Sequence, residues 1–147
     1  MATVEITKDN MHDILEQNEI VVLDFWADWC EPCKAFDPIL AAASERHSDI
    51  VFGKVNTEEE DIISRVFQIR SIPTVLIFKQ NIGVFRESRG FRPTELESMI
   101  AKTRDLDMDE IRERIAQAQA EAEAEAENEH LEAEEDAQEQ ATGSVLE

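Results

Sequence analysis

The chain contains two cysteines, Cys30 and Cys33, in the hexapeptide Trp-Cys-Glu-Pro-Cys-Lys. An apolar, β-branched run from residue 20 to 27 precedes them and predicts a buried strand. The residues from Cys33 to His47 have a helical pattern. A Cys-x-x-Cys pair between a strand and a helix is an arrangement that lowers a thiol pKa and permits reversible dithiol–disulfide exchange. The spacing therefore predicts a redox centre at this point of the chain.

The positions of the two cysteines predict different roles. Cys30 precedes the predicted helix, where unpaired backbone N–H groups and the helix dipole stabilise a thiolate. Cys33 lies about one turn further into the helix and is expected to be the less exposed of the two. We therefore expect Cys30 to attack a substrate disulfide and Cys33 to resolve the mixed disulfide that forms.

The two residues between the cysteines also affect this chemistry. Pro32 restricts the conformation of the loop. Glu31 places a carboxylate beside the nucleophile, and a neighbouring negative charge disfavours the thiolate form of Cys30. We expect Glu31 to raise the pKa of Cys30 somewhat and to make the protein more reducing.

Asp24 is the one charged residue in the apolar run from residue 20 to 27. A buried carboxylate is costly unless it is protonated or paired, so burial should raise the pKa of Asp24. A carboxyl group with a raised pKa suits a base that takes a proton from Cys33. Asp24 is therefore a candidate proton acceptor.

Two other interpretations of the cysteine pair have less support. Zinc sites usually have four ligands, and the chain has no second cysteine pair and no closely spaced histidine pair. His12, His47 and His130 lie on separate predicted elements, so a zinc site would require dimerisation, and we expect no bound metal. A purely structural disulfide is the other alternative, but a loop of four residues constrains the unfolded chain little.

Hydrophobic patterns along residues 1–104 predict nine elements in the order β-α-β-α-β-α-β-β-α. The predicted strands are residues 3–7, 20–27, 50–56, 74–79 and 84–88, with a turn at residues 80–83. Two predicted helices cover residues 33–47 and 58–67, and two more begin after the candidate N-caps Asp9 and Thr94. This order predicts an α/β fold with a central mixed sheet, antiparallel at one edge and flanked by helices on both faces.

The chain of 147 residues has a net charge of −20, and this charge is distributed unevenly. Residues 1–104 carry 12 Lys and Arg and 18 Asp and Glu, whereas residues 105–147 carry 2 and 16. We therefore divide the chain into a folded domain, residues 1–104, and an acidic Ala/Glu-rich extension, residues 105–147. An acidic protein is expected to avoid nucleic acids and anionic membranes because it repels their phosphates.

The sequence also bears on localisation. No apolar run approaches the roughly 20 residues that span a bilayer. The N-terminus has neither the basic region nor the apolar core of a secretory signal. Two cysteines are too few for a secreted domain stabilised by several disulfides. Together these observations predict a cytoplasmic protein.

The extension begins with a helical stripe that includes Ile111 and Ile115, and it continues as Ala, Glu and Gln with little else from residue 116 to 140. Glutamates four residues apart, such as Glu121 and Glu125, repel each other in a helix, whereas alanine favours a helix. We therefore expect a frayed, solvated helix or disorder. We expect a monomer that can self-associate weakly through the extension.

Several separated motifs together resemble the thioredoxin family. They are the stretch from Asp24 to Lys34, the tripeptide Pro38-Ile39-Leu40, Lys54 in Gly-Lys-Val-Asn, the tetrapeptide Ser71-Ile72-Pro73-Thr74, and Gly90 after the last predicted strand. The resemblance covers about residues 1–104, and the segment 106–112 is similar to a C-terminal extension of some bacterial thioredoxins. One residue departs from the pattern, because Glu31 stands where the family usually has glycine.

The resemblance implies the thioredoxin fold and a protein-disulfide reductase activity. Cys30 would be the nucleophile, Cys33 the resolving thiol, and Asp24 the buried proton acceptor with Lys54 near it. The substrate groove would be formed by residues beside the cysteines and by a cis-proline loop: Trp29, Glu31, Pro32, Ile72, cis-Pro73 and Gly90. No cofactor would be bound, the electrons would come from NADPH through a thioredoxin reductase, and the substrates would be disulfide-containing client proteins.

A second class of function is still open at this point. A thioredoxin-fold adaptor or holdase would bind clients through the groove and the acidic extension, and its cysteines would be incidental. Turnover of a small test disulfide with NADPH and a thioredoxin reductase separates this alternative from the reductase.

Overall fold

Strands and helices alternate along the first two thirds of the chain, and one further helix follows. The structure, a computed structural model, describes residues 3–146, with side chains described through residue 138. Residues Met1–Leu106 and Asp107–Glu147 form two compact units. The elements are β1 (Val4–Glu5), α1 (Met11–Gln17), β2 (Ile20–Trp26), α2 (Glu31–Arg46), β3 (Val51–Asn56), α3 (Asp61–Val66), β4 (Thr74–Lys79), β5 (Ile82–Glu87), α4 (Pro93–Asp105) and α5 (Met108–Leu146).

β2 is the central strand of a five-stranded sheet with the order β1-β3-β2-β4-β5. It pairs in parallel with β3 and antiparallel with β4. β1 runs parallel to β3, and β5 runs antiparallel to β4. The structure therefore confirms the predicted mixed sheet with an antiparallel edge. A strand with neighbours on both sides and cover on both faces needs a continuous apolar run, which explains the composition of β2.

The sheet separates two hydrophobic cores because successive side chains of a strand point to opposite faces. On one face, Val22 of β2 belongs to the same core as Phe36 of α2. On the other face, Leu23 belongs to the same core as Ile63 of α3. By this alternation, Asp24 lies on the first face, the one that α2 covers. The candidate proton acceptor and the helix that follows Cys30 are therefore on the same side of the sheet.

Two helices in this unit begin differently from the prediction. α3 begins at Asp61 rather than Glu58, because Asn56 Oδ1 accepts a hydrogen bond from the Glu58 backbone N–H at 2.9 Å and holds these residues in a turn. α1 has Asn10 rather than Asp9 at its N-cap position. At α3 the turn at Asn56 decides where the helix starts, whereas at α1 the Asn10 side chain makes no capping hydrogen bond.

The start of α4 also differs from the prediction. Arg92 is the N-cap residue and Thr94 lies inside the helix, because Pro93 fits the first helical position. Glu95 Oε1 accepts a hydrogen bond from the Arg92 backbone N–H at 3.1 Å. This contact satisfies a donor at the helix start in place of the predicted Thr94 cap.

The final hairpin is tighter than predicted. Gln80 and Asn81 have positive φ angles of 51° and 63°, as a two-residue hairpin turn requires. β5 therefore begins at Ile82 rather than at Val84. The prediction of a turn reaching Gly83 was wrong because the glycine lies within β5, next to an irregularity in the pairing.

Lys79, the last residue of β4, caps the C-terminal end of α4. Its buried ammonium group donates hydrogen bonds to the backbone carbonyls of Thr103, Arg104 and Leu106 at 2.9, 2.9 and 3.1 Å. The last carbonyls of a helix have no partner within the helix, and a cation there is favourable. Lys79 thereby joins the end of α4 to the sheet.

α5 is a helix of 39 residues in the second unit. Its side chains are exposed from residue 112 to residue 138. Arg112 forms an ion pair with Asp109, and Arg114 forms one with Glu110, so these pairs join residues three or four positions apart. No helix in the described part of the chain is both long enough and apolar enough to cross a membrane.

Candidate active site

Cys30 and Cys33 form a disulfide at the start of α2, with their Cα atoms 5.3 Å apart. α2 begins at Glu31 rather than at the predicted Cys33, because Cys30 is the N-cap and Pro32 fits the first turn. The Cys33 backbone N–H donates a hydrogen bond to Cys30 Sγ at 3.2 Å. The helix end therefore directs a donor at Cys30 Sγ, the sulfur that the sequence predicts to be the nucleophile.

The two cysteines are almost equally buried in this oxidised state. Cys30 exposes 4% of its surface and Cys33 exposes 3%. The expected difference in exposure is therefore not seen, because the disulfide holds the two side chains together. What distinguishes them is position, since Cys30 is the N-cap and Cys33 lies within the first turn of α2.

Asp24 is fully buried in the central strand. Among the described residues, neither of its carboxylate oxygens has a hydrogen-bond partner. Burial raises the pKa of Asp24 to about 7, while the Lys54 ammonium group lowers this pKa and the Asp37 carboxylate raises it. Burial has the largest effect because an apolar environment disfavours the charged carboxylate. The raised pKa agrees with the sequence-based expectation and suits a proton acceptor near neutral pH.

Lys54 lies next to Asp24 in the sheet, but its direct partner is another residue. Lys54 and Asp24 are opposite each other in the pairing of β3 with β2. The Lys54 ammonium group forms an ion pair with Asp37 of α2. It also lies 4.5 Å from the centre of the Trp26 ring. Lys54 is thus near Asp24, as expected, but its ammonium group pairs with Asp37, which the sequence patterns did not identify.

A groove of about 510 Å³ includes Trp29, the residue before Cys30. The Trp29 side chain is 68% exposed, and its Nε1–H donates a hydrogen bond to Glu58 Oε1 at 2.8 Å. The rest of the groove comes mainly from α3 and from the loop before β4, including Ile72. Two predicted binding residues, Trp29 and Ile72, therefore line one groove.

A second groove, of about 320 Å³, includes Pro32 and Gly90. Gly90 approaches α2 closely, since a Cβ atom at this position would lie 3.3 Å from the Cβ atom of Phe36. Trp29 lines the first groove and Pro32 lines the second, so Cys30 lies in the chain between them. The predicted binding residues are thus divided between two grooves.

The remaining predicted binding residues lie outside both linings. The Ile72–Pro73 peptide bond is cis, as the resemblance predicts, but Pro73 itself lines neither groove. Glu31 also lines neither groove. Its exposed carboxylate pairs with Lys34 Nζ at 3.2 Å. Glu31 is therefore part of neither groove wall.

Sequence reasoning does not identify three residues near this site, namely Asp37, Glu58 and Arg70. Asp37 follows Cys33 by four residues, and this spacing places neighbouring side chains on one helix face, so the sequence does contain a signal for it. Glu58 and Arg70 come from segments distant in sequence from the cysteines, and only the folded chain shows that Glu58 holds Trp29 and that Arg70 lines the larger groove.

Side chains that could bind a metal do not cluster in the described part of the chain. Within residues 3–138, no group of three or more His, Cys, Asp or Glu side chains is arranged to hold a metal ion. Each of the three histidines instead contacts one glutamate. The redox group that the chain itself supplies is the Cys30–Cys33 disulfide.

Known proteins resemble this chain in sequence and in fold. The family model described as Thioredoxin matches residues 2–102. A Streptomyces coelicolor protein named "Putative thioredoxin 2" is 43% identical over 116 residues, which cover 79% of this chain and 87% of that protein. A match of this length cannot end before about residue 116, so it includes the first turns of α5.

Solved thioredoxin structures have the same fold. Thioredoxin f from spinach chloroplast is 30% identical, with a TM-score of 0.65 and coverage of 71% of this chain and 95% of that chain. Plasmodium falciparum thioredoxin is 31% identical, with a TM-score of 0.63 and coverage of 68% and 98%. Thioredoxins are disulfide oxidoreductases with a redox-active cysteine pair, and Cys30 and Cys33 have the same spacing. From its cysteine pair, its fold and its relatives, this chain belongs to the thioredoxin family.

Proposed function

We propose that this protein reduces disulfide bonds of client proteins by dithiol–disulfide exchange. The observation that carries the proposal is the Cys30–Cys33 disulfide at the N-terminal end of α2, on the sheet face where Asp24 is buried. In the reduced protein, the Cys30 thiolate attacks one sulfur of a client disulfide. The other client sulfur leaves as a thiolate, and a mixed disulfide forms.

Cys33 completes the exchange. Its thiol transfers a proton to the Asp24 carboxylate, and the resulting Cys33 thiolate attacks Cys30 Sγ. The bond between Cys30 and the client breaks, the client leaves as a second thiolate, and the Cys30–Cys33 disulfide forms again. Two electrons have then passed from the dithiol to the client. The two client thiolates take up the proton held by Asp24 and one proton from water.

The cycle needs a source of electrons. A thioredoxin reductase that draws on NADPH returns two electrons to the Cys30–Cys33 disulfide, so no cofactor is bound to this chain itself. The partners are this reductase and disulfide-containing proteins, and the acidic surface disfavours nucleic acids and membranes. The protein acts as a monomer in the cytoplasm, where the reducing conditions suit a dithiol enzyme. Residues 1–104 form the catalytic domain, and residues 105–147 are an extension outside the chemistry.

The client chain binds across the disulfide between the two grooves. Trp29 and Ile72 contact it on one side, and Pro32 and Gly90 contact it on the other. Pro73 presents its backbone directly before β4, and Lys54 acts through its charge near Asp24. Glu31 is an exposed, charged residue beside Cys30 and influences both the redox potential and recognition by the reductase.

The decisive experiment measures turnover of a protein disulfide with NADPH and a thioredoxin reductase. We expect the full chain to be active. Cys30→Ser should abolish turnover because it removes the attacking sulfur. Cys33→Ser is the matched variant, and it should retain the attack and accumulate mixed disulfides with clients.

The assignment of the two roles has its own test. Alkylation of the reduced protein at neutral pH should label Cys30 faster than Cys33. Faster labelling of Cys33 would reverse the roles. If the protein shows no turnover but prevents aggregation of its clients, the adaptor or holdase function would replace the reductase function.

A further inference from the structure

Asp24 forms no hydrogen bond with the lysine that lies opposite it in the sheet. Lys54 is its register neighbour on β3, and by strand alternation both side chains belong to the face that α2 covers. An ammonium group paired directly with a buried carboxylate would satisfy that carboxylate. Both oxygens of Asp24 nevertheless have no hydrogen-bond partner among the described residues. The position of the Lys54 ammonium group therefore needs an explanation.

Asp37 supplies this explanation. It lies on α2, four residues after Cys33, and its carboxylate forms an ion pair with the Lys54 ammonium group. The lysine side chain is largely buried, at 19% exposure, and its ammonium group also lies over the Trp26 ring, 4.5 Å from the ring centre. A cation is attracted to the face of an aromatic ring, so both contacts hold the lysine in one position. That position is the one in which Asp24 remains unpaired.

We propose that Asp37 is a positioning residue of the disulfide exchange: it holds the Lys54 ammonium group away from Asp24 and leaves the buried carboxyl group free to bind the proton of Cys33. This inference rests on the proposed reductase function. Asp37 acts through Lys54 and touches no reacting atom. The Asp37 side chain is 50% exposed, so a substitution at this position should have little effect on the core.

The charges around Asp24 determine the direction of the effect. β3 contributes Lys54, and β4 contributes the apolar Val75, which lies opposite Asp24. From α2, the charge that acts on Asp24 is that of Asp37, and the two cysteines lie at the start of this helix. Removing the charge of Asp37 takes away one negative neighbour and releases the lysine, and both changes favour the ionised form of Asp24.

The test compares Asp37→Asn with the unchanged protein in the oxidised form, where the two cysteines carry no titrating proton. Carboxyl NMR follows the Asp24 side chain from about pH 5 to about pH 9. We expect the midpoint of its titration to fall by about one pH unit in Asp37→Asn. Lys54→Met should raise the midpoint. Asp37→Asn added to Lys54→Met should then produce a smaller decrease, because only the direct repulsion between the two carboxylates is left to remove.

Asp13→Asn is the control for the loss of one carboxylate, since Asp13 is exposed on α1, which packs on the opposite sheet face. A kinetic measurement accompanies the titration: the low-pH limb of the rate of mixed-disulfide release should move with the NMR midpoint. An unchanged midpoint in Asp37→Asn would overturn the proposal. So would a decrease of the same size in the Lys54→Met background, since Asp37 would then act directly. The NMR titration uses neither client nor reductase, so its outcome is separate from that of the reductase assay.

Discussion

The folded domain and α5 both contain many carboxylates, but the burial of these groups differs between the two regions. In the domain, Asp24 is fully buried without a hydrogen-bond partner among the described residues, and its pKa is raised to about 7. On α5, the glutamates from residue 121 to 135 are all exposed. The same chemical group is therefore desolvated in one region and hydrated in the other.

This difference shows that the behaviour of a carboxylate depends on the contacts around it. Distant segments such as β3 and α2 bring charges and apolar cover to Asp24. The ion pairs at the start of α5 join residues three or four positions apart, as in Arg114–Glu110. Local pairs of this kind contribute only about 0.2–0.5 kcal/mol each. The domain should therefore respond strongly to single substitutions and α5 weakly.

The largest effect on stability should come from Asp24→Asn. Folded Asp24 keeps its proton up to about pH 7, whereas in the unfolded chain the carboxyl group loses it near the ordinary aspartate value of 3.8. At pH values between these two pKa values, unfolding releases a proton from Asp24. Rising pH therefore lowers the free energy of unfolding of the unchanged protein. Asp24→Asn removes this pH-dependent loss of stability. The free energy of unfolding of the variant should therefore exceed that of the unchanged protein by on the order of 4 kcal/mol at about pH 8.

Urea unfolding at several pH values checks this prediction. Asp13→Asn, a change of an exposed aspartate on α1, serves as the control for the loss of a carboxylate. If the difference between Asp24→Asn and the unchanged protein were the same at about pH 4 and about pH 8, burial would not raise the pKa of Asp24.

The same substitution at two leucines compares the regions directly. Leu96 in α4 is completely buried, whereas Leu131 in α5 is 57% exposed. Leu96→Ala should lower the free energy of unfolding by about 3 kcal/mol, because it leaves a cavity in the core. Leu131→Ala should change it by less than about 0.5 kcal/mol. Equal losses in denaturant unfolding would show that α5 contributes to the core as α4 does.

A smaller effect is expected at Glu31, whose carboxylate lies beside Cys30. Glu31→Gly should lower the pKa of the Cys30 thiol and make the disulfide easier to reduce, because a negative charge next to the thiolate is lost. The existing pair with Lys34 already offsets part of this charge, so the shift should be modest. Glu31→Gln removes the charge and keeps the side chain, and it is the matched control. Equilibration against a dithiothreitol buffer measures the potential, and a more reducing variant would contradict the argument.

The response of α5 to pH should be gradual. Acidification from neutral pH towards about pH 4 protonates glutamates and removes their repulsion at i,i+4, so the helix content of an α5 peptide should rise. High salt should act in the same direction by screening. Far-ultraviolet circular dichroism of the peptide measures the effect. A flat or falling helix signal on acidification would show that repulsion does not limit this helix.

The smallest effect should follow removal of residues 116–147. The proposed chemistry uses only residues of the first unit, so activity with the reductase should stay within about twofold, equivalent to a few tenths of a kcal/mol. The control is a protein with the same residues replaced by a Gly/Ser linker of equal length. Loss of most activity in both proteins would place α5 within the mechanism.

Much of the fold and part of the site follow from local sequence patterns. The alternation of apolar runs and helical stripes predicts the element order and the mixed sheet, because periodicity reflects which side chains must be buried. The exact starts of α3 and β5 were missed, because Asn56 and the turn at Gln80 and Asn81 act through hydrogen bonds and backbone angles that periodicity does not report.

The sequence by itself determined the cysteine pair, the single charge in the central strand and the proline before β4, because each is a residue type at a fixed place along the chain. Only the tertiary structure decided that Lys54 pairs with Asp37, that Asp24 has no partner among the described residues, and that Lys79 caps α4. These contacts join residues 17 or more positions apart, or depend on how much water a side chain loses. The physical reason is that desolvation and ion pairing are set by neighbours in space, and only the folded chain brings those neighbours together.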